Sequence, residues 1–184
     1  MRSLMIAAAA SALMLGGCNT MGADGSAGAS ASASGMGAMP ADMTPSRAAA
    51  YVEIAASSDM YEIQSSQLAL SQAQNAAIRS FAQMMVTDHT NTTQQLSAAA
   101  SASGVSVPGA MLPMHAQLVA RLQARSGADF DREYARQQLL AHQQALALHT
   151  NFAARGDAPA LRAVAGTAVP VVTQHLNMVR QWPR

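Results

Sequence analysis

NAAIRSFAQMMVTDHTNTTQQLSAAASASG, residues 75–104, decides how this chain folds. Ile78, Ala82, Met85, His89, Thr92, Leu96 and Ala99 recur in alternating steps of four and three. That period lines one face of an α-helix, and apolar or small side chains fill most of it. Asn75 supplies a tight turn before the stripe, and Gly104 with Pro108-Gly109 ends it, so the spacing predicts a helix over 76–102. His89 stands at the centre of the apolar face.

The same reading extends outward in both directions. Ala, Gln, Leu, Met and Arg, all good helix formers, dominate from Ser46 to Trp182, and no strand alternation interrupts them. A helix over 46–73 is expected behind the start signal Thr44-Pro45-Ser46, and a short one over 111–125, ending at Ser126-Gly127. A third long helix over 128–155 should stop at Gly156 in the left-handed conformation. The last should begin with Asp157 as cap and Pro159 in its first turn, bend at Pro170 and reach Trp182. Two hairpins with short turns, joined by a 25-residue crossover with its own short helix, make an all-α fold, a ferritin-like four-helix bundle with one long crossover. An extended coiled coil is disfavoured by the short turns and the absence of flanking charge pairs.

Composition narrows the function. Of 184 residues, 50% are hydrophobic, 11% charged and 4% aromatic, against about 25% charged in an average soluble domain. All 11 basic residues are Arg and the formal charge is +1, which excludes the basic stripe of a nucleic-acid binder. One cysteine permits no internal disulfide. The sequence holds no Gly-rich phosphate loop, no Gly-x-Ser-x-Gly elbow and no His-Glu-x-x-His motif. Arg121, Arg125, Arg132 and Arg136 read as a solvated face, with Asp129 and Glu133 as helical partners.

The N-terminal stretch reads as an address and a tether. Met1-Arg2 precedes the apolar run Leu4 to Leu15, about 12 residues and too short to span a bilayer as a helix. Leu15-Gly16-Gly17-Cys18 then resembles the bacterial lipobox, so residues 1–17 are expected to be a lipoprotein signal and Cys18 the lipidated residue. Asn19 after it favours the outer membrane under the enteric sorting rule. Residues 18–46, rich in Gly, Ala, Ser and Met, cannot bury enough apolar surface to offset their ordering entropy and read as a disordered linker. The folded domain is expected over 47–182, facing the periplasm and held to the membrane by lipid.

Four metal-capable side chains fall near the helix midpoints: Glu62, His89, His142 and His175. Counted from Asn75, Glu62 and His89 come out level. Counted from Gly156, His142 and His175 differ by about 7 Å, less if the last helix starts late. Three His and one Glu suit a single Zn, Cu or Fe ion. They do not suit a di-iron carboxylate site, which requires Glu-x-x-His, because Val86, Leu139 and Val172 precede the histidines by three. The bland reading, preferred on the sequence, is a buried polar network. In it the histidines are satisfied by one another, by Glu62, or by Asp88 and Asp131.

Several spaced motifs carry a resemblance. Phe81-Ala-Gln-Met-Met-Val-Thr-Asp-His-Thr90 looks like the Phe-Ala-x-x-Met-Val-x-Asp-His-Thr signature of the family called domain of unknown function 4142. Ser126-Gly-Ala-Asp-Phe-Asp-Arg-Glu-Tyr134, Ala141-His142 and Val169-Pro170 with His175 resemble its later positions. Val169 stands for the usual Leu, and His149 where an aromatic is commoner. The resemblance spans about residues 47 to 181. It implies a ferritin-like helical domain of bacterial envelopes with no assigned reaction, in which Asp88, Asp131 and Tyr134 join the polar network. The sequence thus reads as a non-catalytic binding or envelope-stress module, open to an envelope partner or self-association. A metal-binding protein is the first alternative and an acid–base enzyme the second.

Overall fold

A computed structural model of the protein describes residues 43–182. The expected signal and most of the expected linker, including Cys18, lie outside the described residues. Five helices follow in order: α1 (Ala48–Gln72), α2 (Ala76–Ala102), α3 (Pro113–Gln123), α4 (Gly127–Arg155) and α5 (Pro159–Val179). No strand occurs among the described residues, and none of these helices is long and apolar enough to cross a membrane. The fold is all-α, as the periodicity predicts. α1 packs most extensively on α2 and α4 on α5, while α1–α4 and α2–α5 contacts join the two hairpins.

Both hairpins turn in the same way. Ala73 and Gly156 end α1 and α4 in an extended conformation (φ −66°, ψ 134° and φ −60°, ψ 145°), and the next helix begins three residues later. In each turn an arginine of the new helix reaches back six residues. Arg79 Nη1 donates to the Ala73 carbonyl at 2.8 Å and Arg162 Nη1 to the Gly156 carbonyl at 3.0 Å, satisfying helix-end acceptors that would otherwise lack a donor. Asp131, half-exposed on α4, accepts from the amides of Gln74 and Asn75 at 3.1 and 2.9 Å. Its role is to hold the first turn, which removes it from the core network where it was expected.

Asp157 likewise has a different partner from the expected one. Its Oδ1 accepts from the Ala48 amide at 2.8 Å, so it caps α1 across the fold, and Ala158 stands at the start of α5. Gly156 is not left-handed either; among the described residues the positive φ values belong to Gly104 and Gly127. What requires glycine at 156 is space, since a Cβ there would lie 2.5 Å from Phe152 Cε1.

The core divides along the helix axes. Tyr51, Val52, Leu96, Leu148, Phe152 and Leu161 pack at one end, joined by Met43. Residues 43–46, which composition places in the linker, therefore belong to the packed body. Asn151 Nδ2 also donates to the Thr44 carbonyl at 2.6 Å. Phe81, Met85, Leu122, Phe130, Tyr134 and Val179 pack at the other end. Between the two lies a polar belt. The crossover helix α3 is strapped over it: the Leu112 amide donates to Ser57 Oγ at 2.7 Å, Ser57 Oγ and His115 Nδ1 are hydrogen-bonded at 2.6 Å, and Gln137 Nε2 donates to the Leu118 carbonyl at 3.1 Å. α5 runs through Pro170 to Val179 and buries Val172, Leu176 and Val179, leaving Met178 36% exposed.

Replacing Gly156 with Ala tests the packed turn. The added methyl must displace Phe152, whose ring stacks on Tyr51 at 3.9 Å between centroids. The expected result is a loss of about 1–3 kcal/mol in urea unfolding, and an unchanged midpoint would refute the close-approach argument.

Candidate metal centre

The polar belt brings three of the four metal-capable residues together. One ring nitrogen each from His89 on α2, His142 on α4 and His175 on α5 lies within 4.8 Å of the others, and all three residues are buried. The ring centroids stand 5.3 Å apart for His142–His175, 6.1 Å for His89–His175 and 6.2 Å for His89–His142.

The partners of these rings fix which nitrogen each can offer. His89 Nδ1 lies 2.8 Å from Asp59 Oδ1, His142 Nδ1 2.8 Å from the Gln138 carbonyl, and His175 Nε2 3.0 Å from Asp88 Oδ2. All three partners only accept, so these nitrogens carry the proton and donate. The other nitrogens, His89 Nε2, His142 Nε2 and His175 Nδ1, are buried without a hydrogen-bond partner. An imidazole that donates at one nitrogen and presents a lone pair at the other is oriented as metal-ligating histidines are. Bound zinc or copper holds nitrogens at about 2.0–2.1 Å, so the trio would close by a modest side-chain rotation. The expected polar network accounts for one nitrogen of each ring and leaves the other without a partner.

Asp59 escaped the sequence reading. It lies 13 residues before the end of α1 at Gln72, and His89 lies 13 after the start of α2 at Ala76, so the pair is level. Counting from Asn75, the last residue of the connection, instead placed Glu62 there. Asp59 also accepts from Thr92 Oγ1 at 3.1 Å and Thr93 Oγ1 at 3.2 Å, which fixes its carboxylate. Glu62 sits one turn deeper. Its Oε2 accepts from Gln138 Nε2 at 2.7 Å, and its Oε1 lies 4.0 Å from the proton-bearing Nδ1 of His142, outside the nitrogen trio. The separation feared between His142 and His175 shrinks because α5 starts only at Pro159: the two lie 13 and 16 residues from their helix ends, a difference of about 4.5 Å.

Asp88 is one-third exposed and touches the site only through His175. Tyr134 is buried but bonds Ser66 at 2.9 Å and packs near Trp182, apart from the histidines. Arg132 and Arg136 pair with Asp129 and Glu133 on α4, as the sequence suggests.

Burial dominates the titration of the belt. It pushes His142 down to about 3 and lowers His175 in spite of Asp88. It also drives His115 and His149 down to about 4 each. At His89 burial acts in the same direction, but the hydrogen bond and charge of Asp59 outweigh it and the ring is raised. The Glu62 carboxyl is pushed up to about 7 by burial, against the pull of His89 and the Gln138 amide.

A cavity of about 280 Å³ adjoins the trio. His89 and His175 form part of its wall, with Tyr51 and His149 on one side and Ala168, Val171 and Val172 of α5 on the other. Tyr51 Oη and His149 Nδ1 are bonded at 3.0 Å. The exposed residues Asn91, Gln95 and Thr167 place its mouth between α2 and α5.

Fold and site together define an all-helical protein with a buried trihistidine cluster flanked by carboxylates. The chain belongs to the family described as Domain of unknown function (DUF4142), whose model matches residues 33–182. Among solved structures it is similar in fold to CopM in the Cu(II)-bound form, with a TM-score of 0.63 at 18% identity over 74% of this chain and 95% of that one. CopM in the Ag-bound form gives a TM-score of 0.61 at 18% identity, over 74% of this chain and 94% of that one. No curated protein matches the sequence significantly.

The titrations set a pH dependence for the metal-free protein. His142, His175, His115 and His149 take protons more readily unfolded than folded, so the stability they supply is present above their ordinary value of about 6.5 and is lost as pH falls toward 3–4. Glu62 and His89 act in the opposite sense but are outnumbered. The melting temperature of the metal-free chain should fall between pH 6.5 and 4, and a flat profile over that interval would contradict the buried neutral imidazoles.

Proposed function

We propose that this chain is a metal-binding module of the bacterial envelope. In this reading a ferritin-like four-helix domain takes one divalent transition ion, zinc or copper, on His89 Nε2, His142 Nε2 and His175 Nδ1. The observation that carries it is the convergence of three buried imidazole nitrogens without a partner, each on a ring whose other nitrogen is already committed. A buried polar atom with no hydrogen bond costs about 1–3 kcal/mol, and three on rings whose centroids lie 5.3–6.2 Å apart are better explained by an ion than by a network among themselves. Three imidazoles suit Zn and Cu, and CopM, described in Cu(II)- and Ag-bound forms, makes copper an ion to test first. Asp59, Asp88 and the Gln138 carbonyl would orient the ligands and fix their tautomers. Glu62, the fourth ligand on the sequence reading, would stay outside the coordination sphere.

The setting belongs to the same proposal. A signal over residues 1–17, lipidation at Cys18 and a tether would hold the domain at the outer membrane facing the periplasm, supported by Leu15-Gly16-Gly17-Cys18 and Asn19. The module is then a specific form of the non-catalytic binding protein that the composition suggests.

Elemental analysis of the chain, purified without a histidine tag after exposure to Zn and Cu, tests the site. About one ion per chain is expected, lost in His142→Ala and kept in Glu62→Gln. Asp59→Asn should weaken binding by roughly 10–100-fold. No uptake by the unaltered chain would refute the proposal and restore the polar-network reading. In cells, Cys18→Ala should shift the protein from the membrane to the soluble fraction and abolish incorporation of labelled palmitate; unchanged fractionation would refute the anchor.

A further inference from the structure

We infer that the ion held by the three histidines carries an exchangeable ligand that is not part of the chain, a water or a small anion seated in the adjoining cavity. The inference rests on the metal-binding reading above and deepens it. Three nitrogens do not complete the coordination of a divalent transition ion, since structural zinc sites close with a fourth protein donor and open sites leave that position to solvent or substrate. Among the described residues the cluster contains three donors and no fourth His, Cys, Asp or Glu.

The nearest carboxylates are engaged elsewhere. Asp59 binds the far nitrogen of His89 and two threonine hydroxyls. Asp88 faces the far nitrogen of His175. Glu62 accepts from Gln138 and approaches His142 on its proton-bearing side. Asp59 and Asp88 border the cavity as well, but each is committed to the far nitrogen of a ligand histidine.

The space for a fourth donor lies on the cavity side. Two of the three imidazoles are part of the wall of the 280 Å³ cavity, which at about 30 Å³ per water has room for several solvent molecules. Its α5 wall is aliphatic (Val164, Ala168, Val171 and Val172), and the Tyr51 hydroxyl opposite is already bonded to His149. Asp59 and Asp88 also reach this wall but are each bonded to a ligand histidine, and the exposed Asn91, Gln95 and Thr167 line the mouth between α2 and α5. Three neutral imidazoles leave the ion's charge uncompensated in its first sphere, which favours a small anion over a neutral molecule at the open position.

Cobalt(II) provides the readout because its visible spectrum reports coordination. The full chain loaded with Co(II) and titrated with sodium azide should show a saturable spectral change at one azide per cobalt. Val171→Phe and, separately, Ala168→Leu fill the aliphatic wall. Each should keep the cobalt stoichiometry and helical circular dichroism of the unaltered chain while weakening the azide response at least tenfold. Cobalt uptake with a spectrum indifferent to azide would overturn the exchangeable ligand alone and leave the metal site standing. An azide response unchanged in both folded variants would overturn the cavity as its seat. A chain that takes up neither cobalt nor the zinc and copper of the elemental analysis would overturn the metal reading and this inference with it.

Discussion

Both helical hairpins pass through a three-residue connection of one design: an extended end residue, an arginine six residues on that donates back to its carbonyl, and a new helix beginning at the third position. The length of this connection sets which residues of paired helices stand level, and everything in the belt follows from that register. It sets Asp59 against His89 and brings His175 within reach of His142. Carboxylates reinforce both turns from a distance, Asp131 from α4 onto the first and Asp157 from the second onto the start of α1. A one-residue change in either connection would rotate a helix by about 100° and carry its histidine away from the others.

The helices were legible because their stripes are long and their ends are marked by Asn75, Gly104, Gly127 and Pro159. The site was legible only in part. His89 lies on an apolar stripe, so its burial could be read from period alone, while His142 and His175 were placed only near the midpoints of their helices. Asp59 could not be read, because α1 is buried around much of its circumference, so no single face marks which of its acids meets His89. Nor could the roles of Asp131 and Asp157. A sequence shows that an aspartate stands near a helix end, but which amide it accepts from depends on a helix more than 50 residues away. Gly156 was expected for its backbone freedom and is needed for its missing side chain, a distinction that only the position of Phe152 reveals.

Dividing the apolar core into two ends also explains how a polar belt is tolerated. Each end supplies aromatic and aliphatic packing of its own, Tyr51 with Phe152 at one and Phe81 with Trp182 at the other. The belt between them then needs only the small apolar cluster of Tyr61, Val119 and Ala141, and its hydrogen bonds fix which rotamers the histidines adopt. The strap of α3, held through Ser57, His115 and Gln137, closes the belt on the side away from the cavity mouth.

The three histidines come from α2, α4 and α5, so they represent both hairpins, and 53 residues separate His89 from His142 and 33 separate His142 from His175. A bond through that point would act as a topological cross-link, closing two large chain loops at once in a protein whose single cysteine cannot form one internally. The entropy such closures remove from the unfolded chain grows with loop length. The belt is therefore placed where one shared contact would do the mechanical work of a pair of disulfides, and, unlike them, could be undone without reduction.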